Sequence, residues 1–119
     1  MKFLMYTLGD DNTPMPPPTP EVMAEMGKFM MEAQQKGALL ATGGMTPTSQ
    51  GTTVRYTNGK FTVTDGPYAE SKELIGGWAL IEAKSKEQAI DWAKQFLKIT
   101  GGGESRIRQV FGPEDGMRG

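Results

Sequence analysis

Asp65 heads the stretch of this chain where residue types and spacing could do chemistry. Gly66, Pro67 and Tyr68 follow it directly, and Glu70 and Lys72 lie just beyond. Aspartate before glycine is a routine turn former. Its carboxylate accepts local backbone N–H bonds while Gly66 and Pro67 shape the reversal. The same carboxylate, placed at a strand end and at the mouth of a cleft, could serve as a general base or as a ligand acceptor. The two roles are compatible and both stay open. Two weaker candidates could assist it. Tyr6, in the opening apolar stretch, carries a hydroxyl that needs a partner if buried and could be aimed at a ligand. Lys72 could neutralise an anionic ligand, or simply pair with Glu70 at the surface, where such a pair contributes little.

Four further residues could touch a ligand. Tyr68 packs its ring over the turn or against a bound molecule. Arg55, Arg106 and Arg108 could form a fork for a carboxylate or phosphate, a geometry that guanidinium suits. The alternative for all three is a solvated strand face or salt bridges between subunits. Gly101-Gly102-Gly103 follows a helical stretch instead of opening one, so it reads as a terminator and not as a phosphate loop.

Composition removes whole classes of mechanism. The chain has 119 residues, with no histidine and no cysteine. That excludes Ser-His-Asp and Cys-His catalysis, disulfides, and the usual zinc ligand sets. Any acid–base work must fall to Asp, Glu, Lys or Tyr. No metal, flavin or nucleotide motif is present, so no cofactor is expected. Net charge is −1, and the 13 basic residues are scattered, which argues against nucleic acid as a partner. The apolar run Phe3–Tyr6 is too short for a membrane span or a signal-peptide core. The expectation is a cytoplasmic protein beginning at Met1, a single domain over residues 1–119 with a fraying tail at 112–119.

The elements that must position these residues are readable from pattern. Lys2–Leu8 reads as a strand with large apolar groups on both faces: Phe3 and Met5 on one, Leu4, Tyr6 and Leu8 on the other. The loop after it carries Pro14, Pro16, Pro17 and Pro18, a stiff connector or the wall of a pocket. Thr19 can cap a helix opening on Pro20 and stopping at Gly37, with Val22, Met26, Phe29, Met30 and Ala33 on one face. Met31 points the other way and is a candidate for partner contact. Ala38–Thr42 is a short strand, and Gly43–Gly51 a loop.

Asn58-Gly59 is a two-residue hairpin turn that requires positive φ. Its register predicts Tyr56 opposite Phe61 and Val54 opposite Val63 on one face, with Arg55 opposite Thr62 and Thr53 opposite Thr64 on the other. The second strand ends at Asp65. Leu74–Ala83 is another strand apolar on both faces. Ser85 opens a second helix, with Gln88 completing a capping box. Ala89, Ile90, Trp92, Ala93, Phe96 and Leu97 form its buried stripe, and Arg106–Phe111 is the last strand.

The order is strand, helix, a run of strands bearing a hairpin, helix, strand. This is an α+β plan, the ferredoxin-like split βαβ sandwich with an added β-hairpin. Two helices cover only one face of such a sheet. The other face is also apolar, so a homodimer packing through the sheet face is expected.

The hairpin, the run Val63-Thr64-Asp65-Gly66-Pro67-Tyr68-Ala69-Glu70-Ser71-Lys72-Glu73, and then Gly76-Gly77-Trp78-Ala79-Leu80-Ile81 resemble the DGPF-type branch of the YCII-related family. The opening strand with Gly9-Asp10 and the helix after Ser85 are similar too, so the likeness spans nearly the whole chain. Tyr68 stands where the motif has phenylalanine. The resemblance implies a dimeric α/β barrel, two ferredoxin-like chains packed together, and supplies no established reaction. Some YCII-like relatives carry a His–Asp pair suspected of acid–base catalysis. This chain lacks the histidine and keeps only the carboxylate at Asp65. DGPF-type proteins are also associated with extracytoplasmic-function sigma factors, which implies a regulatory context.

Two functions therefore stand side by side. One is an enzyme with a small-molecule cleft near Asp65 and cofactor-independent acid–base chemistry. The other is a non-catalytic module that binds a ligand or protein in a regulatory setting.

Overall fold

A computed structural model describes residues 1–9, 18–66 and 74–113. Pro67, Tyr68, Glu70 and Lys72 lie outside the described residues, as do Pro14, Pro16, Pro17 and residues 114–119 of the expected tail.

The chain is α+β. Among the described residues, six strands and two α-helices run in the order β1 (Lys2–Gly9), α1 (Pro20–Gln35), β2 (Leu39–Gly44), β3 (Thr52–Thr57), β4 (Lys60–Asp65), β5 (Leu74–Glu82), α2 (Lys86–Thr100) and β6 (Ser105–Val110), with a 3-10 turn at Thr48–Gln50. Four strands form an antiparallel sheet in the order β2-β5-β1-β6. The strands joined through each helix are thus separated by one other strand, which is the split βαβ arrangement. The remaining pair, β3 and β4, forms a sheet of its own between β2 and β5 in the chain.

Local chemistry explains the helix ends. Thr19 Oγ1 accepts the Val22 N–H at 3.2 Å, Pro20 occupies the first turn, and Gly37 takes φ +73° just past the end of α1. Ser85 Oγ accepts the Gln88 N–H, and Gln88 Oε1 reaches back to the Lys84 N–H at 2.7 Å, one residue before the cap. Gly101 closes α2 at φ +87°. None of the described helices is long and apolar enough to cross a membrane.

The hairpin has the expected register. Asn58 and Gly59 adopt φ 52° and 77°, and Val54 faces Val63, Arg55 Thr62 and Tyr56 Phe61. The last pair stacks tilted with ring centroids 4.7 Å apart.

Both helices lie on one face of the four-stranded sheet. Phe3, Met5, Ile81 and Ala83 from that face meet Ala89 and Ala93 of α2, with Leu39, Ala79, Trp92 and Ile107 packed around them. Ala33 of α1 is buried as well, while Met31 is exposed. By strand alternation Leu4, Tyr6 and Leu8 turn to the opposite face, where Leu4 opposes Leu80 and Tyr6 opposes Trp78. These side chains are half-buried although neither α1 nor α2 covers them.

Two details depart from the pattern-based expectation. β2 continues through Gly43 and Gly44, whose backbones pair with Trp78 and Gly77. β6 starts one residue early, at Ser105, opposite Thr7.

Candidate functional site

The helix layer and the sheet do not close on each other completely. A cavity of about 220 Å³ lies between them. Its origin is the small size of the residues around it. Ala33 on α1, Ala38 after it, Ala79 on β5, and Gly43 and Gly77 at the sheet end all line the space. Larger side chains at these positions would fill it. Phe29 and Met30 from α1 and Trp92 and Phe96 from α2 supply the aromatic and thioether walls. The Phe29 and Trp92 rings are 5.6 Å apart, and Lys36 Nζ lies 5.9 Å from the Trp92 ring centre.

Besides Tyr6, the described residues of the sheet wall include Thr7, Thr42 and Ser105. Thr7 shares the helix-side face with Phe3 and Met5, at the point where the β1–β5 register shifts between Tyr6 and Leu8. Its Oγ1 accepts the Gly77 N–H at 2.9 Å and donates to the Gly77 carbonyl at 3.4 Å. A Cβ at Gly77 would come to van der Waals contact with that hydroxyl, 3.4 Å from Thr7 Oγ1. Thr42 Oγ1 donates to the Trp78 carbonyl at 2.8 Å. Ser105, opposite Thr7, has a buried Oγ with no hydrogen-bond partner among the described residues. At Gly43 an added Cβ would come within 3.1 Å of the Trp78 ring, so glycine there lets the indole lie against the strand.

The family model for the YCII-related domain matches residues 1–111. The chain belongs to the YCII-related family. An uncharacterised protein of Rhizobium meliloti (strain 1021) is 30% identical to this YCII-related chain over 95 residues, which is 77% of either protein.

Of the residues singled out in the sequence, Tyr6 borders the cavity. Asp65 does not. It is exposed at the base of the hairpin, where its Oδ1 accepts the Thr52 hydroxyl at 2.8 Å. The next N–H, that of Gly66, donates to the Gly51 carbonyl at 3.0 Å and ties the hairpin shut. Arg55 is exposed on the hairpin's polar face, opposite Thr62. Arg106 and Arg108 are exposed on the sheet face away from the helices, opposite Tyr6 and Leu4. Arg106 also approaches Glu104 at 3.6 Å. Among the described residues, then, the structure leaves Asp65, Arg55 and the Arg106–Arg108 pair outside the cavity lining. Tyr68 and Lys72 lie outside the described residues.

Sequence reasoning did not find Thr7 or Ser105. A signal existed for Thr7: it is the lone hydroxyl on a strand face otherwise carrying Phe3 and Met5. Ser105 carried none, because it falls just before the apolar alternation of the last strand.

Proposed function

We propose that this YCII-related protein binds a small apolar molecule between its helices and its sheet, and that it does so as a homodimer. The observation that carries the binding reading is the cavity itself, lined almost wholly by aliphatic and aromatic groups with a few hydroxyls on one wall. Pockets of that composition are the usual small-molecule sites. Among the described residues, no Asp, Glu, Lys or Arg lines it, and the walls those residues form favour binding over acid–base turnover.

The homodimer reading rests on the sheet's second face. Leu4, Tyr6, Leu8, Trp78 and Leu80 lie on it beside the exposed Arg106 and Arg108, and both helices lie on the other side. The hairpin adds a second uncovered apolar surface: Val54, Tyr56, Phe61 and Val63 remain 64–73% exposed. Contiguous apolar surface of this kind marks an association site. A second copy of the chain brings the same apolar residues to meet it.

Titration calorimetry with toluene tests the binding reading. The wild-type protein should bind it saturably, and Ala33→Leu, which fills the cavity, should weaken that binding at least tenfold. Saturable binding that Ala33→Leu leaves intact would place the ligand elsewhere and refute the reading.

A further inference from the structure

We infer that the β3–β4 hairpin is an exchanged arm: its apolar side lies on the uncovered sheet face of a second copy of this chain, and the second copy's hairpin returns the contact. This rests on the homodimer reading above and specifies which surface of one protomer meets which surface of its partner. The hairpin is not hydrogen-bonded into the four-stranded sheet and forms a sheet of its own. Of its strand residues only Thr53 is half-buried, and the others are exposed. Val54, Tyr56, Phe61 and Val63 share one side and remain 64–73% exposed. A two-stranded hairpin left to itself in water is marginal and needs a packed face to persist.

The sheet face away from the helices complements the arm in polarity and in charge. Leu4, Tyr6 and Leu80 supply apolar surface there, and Arg106 and Arg108 stand exposed beside them. On the arm, Asp65 follows Phe61 and Val63 in the same alternation, so a carboxylate sits at the base of the apolar side. Its Oδ1 takes the Thr52 hydroxyl, and the residue is exposed, so it can meet a guanidinium of the partner's sheet face. The arm does not fold back to cover its own sheet, because its apolar side chains stay exposed within the chain. A two-fold pair satisfies both surfaces at once, since each arm meets the other chain's face. The four side chains present roughly 500 Å² per arm. Two arms and the two patches beneath them together withdraw roughly 2,000 Å² from water, the size of a stable interface.

Mixing two damaged chains tests the exchange. Phe61→Lys puts a cation on the arm, and Leu4→Lys puts one on the sheet face. Phe61 is 73% exposed and Leu4 lies outside the core cluster, so both chains should fold. Sizing at low micromolar concentration reads the wild type, each variant alone, and the two variants mixed in equal amounts. Each variant alone should run at the chain mass, because every arm-to-face contact in it is damaged. The mixture should recover twice the chain mass, because the sound arm of one variant meets the sound face of the other. If either variant alone keeps twice the chain mass, or the mixture stays at the chain mass, the arm does not lie on the face and this inference fails, while a wild-type dimer leaves the homodimer reading standing. If the wild type itself runs at the chain mass, the homodimer reading fails and takes this inference with it.

Discussion

Replacing Ala33 by leucine separates a true cavity from a tightly packed core, because the two give opposite signs. Ala33 is buried on α1 and lines the space between the layers. Leucine adds three carbons there. At about 0.8 kcal/mol for each buried methylene or methyl, full burial contributes about 2.4 kcal/mol. Ordering the new side chain costs about 0.5–1 kcal/mol. Leucine is nearly as good a helix former as alanine, so the helix itself contributes little to the difference. The expected outcome is a gain of about 1–2 kcal/mol, read as a higher urea midpoint with an unchanged slope. For 119 residues this corresponds to a melting temperature higher by roughly 4–8 °C. Protein concentration must be held fixed, since an associating chain has a concentration-dependent midpoint. In a well-packed core the same change costs about 1–3 kcal/mol through forced rotamers and backbone shifts. A loss of that size would refute the claim that the layers leave usable room.

Four other outcomes follow from the same structure. Ser105→Ala should raise the stability of the ligand-free protein by about 1 kcal/mol in urea denaturation, since it removes a buried hydroxyl without a partner among the described residues; a loss would mean that the hydroxyl is bonded in solution. Leu4→Lys places a charge beside Arg108 on the uncovered sheet face, so sizing at low micromolar concentration should shift from twice the chain mass to the chain mass. Gly59→Ala forces a side chain into the positive-φ turn of the hairpin and should cost about 1 kcal/mol, with the loss confined to faster amide exchange in β3 and β4. Asp65→Ala removes the acceptor for the Thr52 hydroxyl and should quicken exchange of the Gly66 amide severalfold, whereas no change would deny Asp65 its part in closing the hairpin.

The parts of the fold that were legible are those in which local chemistry and side-chain pattern agree. Asn58-Gly59 demanded positive φ, and the alternation on either side left one register that put Tyr56 against Phe61. Thr19, Gly37 and Ser85 marked helix ends because each satisfies backbone groups that a helix leaves open. The end of β2 was not legible. Gly43 and Gly44 carry no side-chain pattern, and their pairing with Trp78 and Gly77 is a backbone matter. The candidate site divided in the same way. The turn position of Asp65 could be read, but its partner could not: the carboxylate accepts the Thr52 hydroxyl from across the hairpin, where a local backbone N–H was expected. The position of Asp65 outside the cavity lining could not be read, because it depends on the hairpin forming a sheet of its own. The cavity was invisible for a further reason. It is a volume left by two pairs distant in sequence, Ala33 with Ala38 and Gly77 with Ala79, each residue individually unremarkable as a core or turn residue.

The most direct test of a ligand site between helices and sheet is a methyl-resolved NMR titration of the full chain with toluene. Saturable shifts should gather on Met30, Ala33, Leu39 and Ala79, with Val54 and Val63 on the hairpin unmoved. Shifts concentrated on the hairpin valines, or none that saturate, would contradict it.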